Sequence, residues 1–158
     1  MISKVLEIEV EKEDLIKALY IPEVWEAISP VKKITVDFPA PNVLRSEIYD
    51  EVDLVKIPIK LSGELVMTDQ GEDPGKGRLI ELNVRNNKDV KHLEGRLRIK
   101  KIGSNKSKVG VFIHNFELNS EFLNILGDAS ELVLRNKLSD LMRNLQKYCM
   151  KNDLKSII

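Results

Sequence analysis

The chain has 158 residues, of which 42% are apolar and 32% are charged, and its formal net charge is zero. This composition is typical of one soluble globular domain with a sizeable core, and it excludes an intrinsically disordered chain. Because lysine and glutamate are mixed along the sequence without a basic excess, we expect no nucleic-acid partner.

The N-terminal part of the chain predicts one strand followed by two short helices. Residues 2–10 alternate apolar side chains with glutamates, which is the pattern of a half-buried strand. Residues 11–20 carry acidic side chains in a first turn and then apolar ones at helical spacing. A second helix over residues 22–29 begins with Pro22 and ends before Pro30, because the residue preceding a proline disfavours helical angles.

The middle of the chain has strand character throughout. Pro58 indicates an edge position or a bulge, and Gly63 indicates a bend. Turn sequences such as GEDPGKG separate the apolar runs, which predicts an antiparallel arrangement. Six strands are predicted here, over residues 31–38, 44–49, 54–69, 78–85, 90–102 and 107–118.

A long helix is predicted at the C-terminal end, within residues 120–152. Asp128 and Glu131 have the spacing of a capping box, so the helix either starts at Ser120 and kinks at Gly127 or restarts there. Its apolar face requires a broad surface to pack against. The main stripe comprises Leu134, Leu138, Leu141, Leu145 and Cys149, broadened by Leu132, Val133 and Met142.

Composition also bears on the cellular setting. There is no apolar run of about 20 residues and no basic-then-apolar leader, so we expect no integral membrane segment and a cytoplasmic location. Cys149 is the single cysteine, and its helical setting favours a packed structural thiol. Two glutamines against many lysines, glutamates and isoleucines indicate a heat-adapted source, a thermophile.

The order of predicted elements, together with three stretches of sequence, resembles the START-like (SRPBCC, helix-grip) superfamily. Those stretches are PEVWEAISPVKKI, KIPIKLSGEL and VGVFIHNFELNS, and within the superfamily they look most similar to the CoxG family, which is named for an accessory protein of carbon monoxide dehydrogenase. The resemblance implies an α+β fold in which a curved seven-stranded antiparallel sheet wraps a long C-terminal helix. It covers one START-like domain, residues 1–158, with a core at about 2–150 and a short tail at 151–158.

In such a fold, an internal cavity lies between the sheet and the terminal helix, and the two short helices close its mouth. Trp25 would then fill or gate that mouth, or else plug the core. Side chains on the inferred inward faces of the strands and on the helix stripe are the candidates to line the space. The predicted ligand-binding residues are Trp25, Phe38, Ser46, Phe112, His114, Phe116, Leu134, Leu138 and Leu141.

The sequence offers little catalytic chemistry. Alternation places His92 on an exposed strand face and His114 between two inward phenylalanines, while Asp50 near a strand end is expected to meet water. Two histidines and one cysteine far apart predict no metal site. No phosphate-binding or nucleotide-binding glycine motif and no nucleophile elbow is present, so we expect no cofactor.

Three functions are compatible with these residues. The first is binding of an apolar or amphipathic small molecule in the cavity, without catalysis. The second is an enzyme of the polyketide cyclase or hydrase kind with His114 as acid or base. The third, which the CoxG resemblance implies, is an accessory protein that docks to a larger complex. The acidic EIEVEKED and basic RLRIKK stretches are typical of solvated faces, although they could also pair between subunits of a homodimer.

Overall fold

The computed structural model of the chain describes residues 1–52, 57–119 and 127–158, and within these it shows seven strands and three α-helices. Short 3-10 turns at Gly127–Ala129 and Leu154–Ser156 flank the last helix. The helices and strands are β1 (Ile2–Ile8), α1 (Lys12–Ala18), α2 (Pro22–Ile28), β2 (Lys33–Ala40), β3 (Val43–Val52), β4 (Ile57–Asp73), β5 (Gly77–Arg85), β6 (Val90–Gly103), β7 (Lys106–Leu118) and α3 (Ser130–Lys151).

All seven strands form one antiparallel sheet in the order β1-β7-β6-β5-β4-β3-β2. The strands from β2 to β7 follow one another as hairpin neighbours, whereas β1 pairs with β7. Strands β1 and β2 are consecutive in the chain but lie at opposite edges of the sheet. Helices α1 and α2 form the connection that carries the chain from one edge of the sheet to the other.

Helix α3 packs on β1 and α2 and inserts its apolar stripe into the main core. Leu138, Met142, Leu145 and Cys149 are buried on that stripe, together with inward residues of the strands. The predicted α+β helix-grip architecture is thereby confirmed, with a seven-stranded sheet around one long terminal helix and two short helices after the first strand.

The stripe of α3 is narrower and less uniformly buried than the sequence predicted. Leu132, expected to broaden it, is 49% exposed. Leu134 and Leu141, expected in the core, are only half-buried. Both residues border a cavity between the helix and the sheet, which leaves them without full packing.

The N-terminal end of α3 also differs from the prediction. The helix begins at Ser130, after the 3-10 turn, and no side chain caps it, so the expected capping box of Asp128 and Glu131 does not form. Gly127 has φ of 56°, a left-handed value, which means that no continuous α-helix runs through it. The alternative start at Ser120 lies outside the described residues.

Of the two irregular positions predicted in β4, Pro58 lies at a local edge of the sheet, whereas the bend at Gly63 stays a prediction. Pro58 pairs with β3 on one side only, because the pairing of β4 with β5 begins at Glu64, so its missing N–H lies at a local edge. Gly63 is the last residue before that pairing begins. None of the helices in the described part of the chain is long and apolar enough to cross a membrane.

Candidate functional site

A cavity of about 430 Å³ lies between the sheet and the first half of α3. Strands β2 to β7 contribute their inward positions to its wall, α2 and the segment after it form one side, and α3 covers it. The inward positions alternate along each strand, as they do for Leu44, Ser46 and Ile48 of β3. Because most of these side chains are apolar, the wall is mainly a hydrocarbon surface with a few polar residues.

The cavity is closed toward the C-terminal half of α3. Met67, Met142 and Leu145 line that end, and each of them is at most 4% exposed. Toward the start of α3 the lining residues Ser130, Val133 and Leu134 are only half-buried. The space is therefore blind at the core end and approaches the surface near the first turns of α3.

A charged pair marks the end that approaches the surface. Lys137 Nζ lies 2.6 Å from Asp50 Oδ2 and donates a 2.6 Å hydrogen bond to the carbonyl of Pro30. The side chain of Lys137 is 36% exposed, whereas that of Asp50 is 12% exposed. The pair ties α3 to β3 and to the segment after α2 at the rim of the cavity.

Trp25 lines the cavity from α2. Its indole Nε1 donates a 2.7 Å hydrogen bond to the carbonyl of Leu19, which fixes the ring orientation. The Ser29 hydroxyl donates to the carbonyl of Trp25 and so closes the end of α2. Trp25 is half-buried and packs against the main core, so one ring contributes both to the cavity wall and to the core.

Most of the predicted ligand-binding residues lie around this cavity. They come from α2, β3, β7 and α3, so the topology brings together elements far apart in sequence. Their role in binding remains a prediction. The predicted residues that line the cavity are Trp25, Ser46, Phe116, Leu134, Leu138 and Leu141.

His114 does not line the cavity, and its expected inward direction is wrong. Leu93 pairs with Phe116 and Gly95 with Ile113, so β7 has one residue more than β6 between these two pairs. That extra residue is a β-bulge at His114, which shifts the alternation by one position. Ile113 and Phe116 both point inward, and the His114 side chain is exposed.

The inward direction predicted for Phe112 is also wrong, because of the same bulge. Phe112 lies before the bulge, between the inward residues Val111 and Ile113, so its side chain points outward. Its ring lies over Gly110, where a Cβ atom would come within 2.8 Å of ring atom Cε2, and Val5 borders the same point. Val5 is 42% exposed. Phe112 therefore covers the outer face of the sheet, where Gly110 leaves room for its ring.

Phe38 lies away from the cavity wall as well. The β2–β3 register shifts between Asp37 and Ala40, so the alternation after Val36 is irregular. Phe38 packs against the main core and against the ring of Tyr20, with ring centroids 6.3 Å apart. Its contribution is to the packing of β2.

Several polar residues at the cavity were not predicted as site residues, among them Asp50, Lys137 and Asn87. Asp50 was expected to meet water but is 8% exposed, because Lys137 covers it. The sequence could have indicated Lys137, because a lysine between Leu134 and Leu138 interrupts the apolar stripe of the helix. The sequence contains no comparable signal for Asn87. Its position at the cavity depends on the turn after β5, which the pairing of β4 with β5 places beside Gly63.

In the part of the chain that the structure describes, the two histidines and the cysteine do not line the cavity. His92 is exposed on β6, as predicted. Burial raises the pKa of the Cys149 thiol to about 11, which agrees with the predicted structural role. Among the described residues no group of three or more His, Cys, Asp or Glu side chains could hold a metal ion.

Solved structures of similar fold place this architecture among START-like proteins. A START superfamily protein from Mycobacterium smegmatis has a TM-score of 0.66 at 16% identity, with 95% of this chain and 97% of that chain covered. The Zhui aromatase/cyclase from Streptomyces sp. R1128 has a TM-score of 0.59 at 12% identity, covering 94% of each chain. Norcoclaurine synthase from Thalictrum flavum, in complex with dopamine and hydroxybenzaldehyde, has a TM-score of 0.62 at 13% identity, covering 96% of this chain and 87% of that one.

These likenesses confirm the START-like helix-grip fold predicted from the sequence. At such low identity they define the fold alone. No protein-family model matches the chain, and no curated protein matches it significantly. The resemblance to the CoxG family is untested by these structures and stays a prediction.

Proposed function

We propose that the protein binds an apolar or amphipathic small molecule in the cavity beneath α3. The observation that carries this proposal is an internal space of about 430 Å³ whose wall is mainly hydrocarbon. Small-molecule sites usually have volumes of about 300–1,000 Å³, an apolar lining and a few polar groups. The cavity has all three features, with Ser46, Asp50, Asn87 and Lys137 among its polar lining residues.

The free energy for binding comes from the lining. An apolar cavity gives water few hydrogen-bond partners, so a guest that replaces water there removes its own apolar surface from solvent. The lining side chains gain dispersion contacts at the same time. The half-buried state of Leu134 and Leu141 fits this role, because a guest would complete their burial.

The enzyme alternative loses its expected catalyst. His114 is exposed on the far side of a bulge and does not line the cavity, so it supports no acid or base role there. The Zhui aromatase/cyclase has the same fold, but fold alone does not carry an activity to this chain. Docking to a larger complex, homodimer formation and a cytoplasmic location remain predictions from the sequence, as does the assignment of residues 1–158 to one domain.

The test uses N-phenyl-1-naphthylamine, an uncharged apolar dye whose emission rises on leaving water. We expect saturable binding to the wild-type protein and at least about tenfold weaker binding to Leu141→Trp, because the larger ring occupies cavity space. Leu132→Trp is the matched control, since it adds the same ring to the exposed face of α3. No saturable dye signal, or equal loss in both variants, would exclude the cavity as a binding site.

A further inference from the structure

One point of the cavity wall has a polar group where the strand pattern would place an apolar side chain. Gly63 pairs directly with Ser46 across β3 and β4, and paired residues present their side chains on the same face. Ser46 lines the cavity, so a side chain at Gly63 would point inward. That space is occupied by the Asn87 carboxamide, whose Nδ2 lies 2.7 Å from the position a Cβ of residue 63 would take.

Hydrogen bonds of the turn fix which end of this carboxamide faces the wall. Asn87 Oδ1 accepts from the backbone N–H groups of Asp89 and Val90, at 2.9 and 3.0 Å. The amide therefore cannot be flipped without losing both bonds, and Nδ2 is held on the Gly63 side. The turn thus presents N–H donors at the cavity wall on a rigid support.

The donors at this point have no protein acceptor. Within the described residues, neither Asn87 Nδ2 nor the Ser46 hydroxyl makes a hydrogen bond to another group. Both residues are half-buried and line the cavity beside the same glycine. An N–H and an O–H that flank one small residue form a two-donor site for an oxygen acceptor of the guest.

The surrounding charges determine which acceptor fits. The Lys137 ammonium is already engaged by Asp50 and the Pro30 carbonyl. The Glu64 carboxylate next to Gly63 lies on the other face of β4, where it accepts hydrogen bonds from Arg85 and Asn86. A ligand carboxylate at the two-donor site would therefore give up its hydration without gaining a free cation as a partner. The free-energy cost of removing a neutral carbonyl oxygen from water is much smaller.

We infer that Ser46 and Asn87 form a carbonyl-binding site, and that the ligand is an uncharged apolar molecule bearing a carbonyl group. This inference rests on the proposed function, because it specifies the guest of the same cavity. It assigns the polar end of the guest to the β3–β4 wall beside Gly63, with the apolar body extending along the leucines of α3. The Asp50–Lys137 pair then serves to hold α3 in place.

The experiment measures displacement of N-phenyl-1-naphthylamine by three matched compounds: 2-acetylnaphthalene, 2-isopropylnaphthalene and 2-naphthoate. For Ser46→Ala we expect affinity for 2-acetylnaphthalene to fall about 3- to 10-fold, with affinity for 2-isopropylnaphthalene unchanged or higher. Asn87→Asp keeps the oxygen that caps the turn but removes the N–H donors, so we expect about a tenfold or greater loss for the ketone alone. In the wild-type protein, 2-naphthoate should bind at least about tenfold more weakly than the ketone.

Ser3→Ala, on an exposed position of β1, is the control and should change neither affinity. Equal effects of Ser46→Ala and Asn87→Asp on ketone and hydrocarbon would overturn the carbonyl site while leaving dye binding, and so the proposed function, intact. Binding of 2-naphthoate as tight as that of the ketone would overturn the carbonyl site in the same way. Absence of dye binding to the wild-type protein would instead overturn both proposals together.

Discussion

Burial sets the chemistry of Cys149. The side chain packs in the core on the last turns of α3, and desolvation raises the pKa of its thiol to about 11. Since the thiolate is the reactive form, the neutral thiol should resist an aromatic disulfide reagent at pH 8 in the folded protein and react fully after denaturation. Met150→Cys, at a neighbouring position that is 69% exposed, should introduce one rapidly reacting thiol. Rapid reaction of Cys149 in the native wild-type protein would contradict this account.

At this scale, the direction of a side chain was predictable wherever a strand alternates without interruption. Ser46 and Phe116 lie at the cavity as expected, and His92 is exposed. The errors at Phe112 and His114 come from one inserted residue, because a bulge shifts every assignment on one side of it by one. Nothing in VGVFIHNFEL marks the bulge, since it arises from pairing with Gly95 on another strand.

For helix α3, the sequence predicted which residues form the apolar stripe. It did not predict which of these residues are fully buried and which are half-buried. Helical spacing shows which residues share a face, whereas the cavity beneath the first turns depends on how the sheet curves. Leu145 is 4% exposed at the closed end of the cavity, where it packs in the core, and Leu141 is half-buried along the cavity wall. The same residue type on one helix thus experiences two environments.

This division predicts unequal costs for the same truncation. Leu145→Ala should lower the free energy of unfolding by about 2–5 kcal/mol, because it empties a packed site. Leu141→Ala should lower it by less than about 2 kcal/mol, because the removed methyl groups already border open space and leave fewer contacts behind. Urea unfolding of the two variants provides the comparison. Similar costs would mean that the space beneath Leu141 is packed, contrary to the structure.

The attachment of α3 gives a second prediction at the element scale. Lys137→Met leaves the Asp50 carboxylate, 12% exposed, without its cation, and should cost about 1–3 kcal/mol in the free energy of unfolding. Adding Asp50→Leu should recover much of that loss, since an apolar pair replaces the ion pair. Arg143→Met removes the exposed pair with Asp140 on the same helix and should leave stability nearly unchanged. Equal effects of Lys137→Met and Arg143→Met in urea unfolding would show that the buried pair does not hold the helix.

For the whole molecule, the order of the elements together with the resemblance to the START-like superfamily predicted the architecture. A strand, two short helices, six hairpin-linked strands and a long helix have few ways to bury every apolar face, and the helix-grip fold is one of them. The sequence did not reveal the size of the cavity, because volume depends on the difference between large contributions from many side chains. Nor did it reveal the contact between Asn87 and Gly63, which joins a turn to a strand through tertiary register.

If the cavity is a binding site, occupancy should stabilise the entire fold. A guest that binds only the folded state raises the free energy of unfolding by about 2.7 kcal/mol at a free concentration of 100 times its Kd. For a domain of this size, that corresponds to a rise in Tm of roughly 5–10 °C. We expect such a shift for the wild-type protein and for Leu132→Trp with N-phenyl-1-naphthylamine, measured by differential scanning calorimetry. Leu141→Trp should show little shift at the same dye concentration, because its ring takes up the space, and a full shift in that variant would place the dye elsewhere on the molecule.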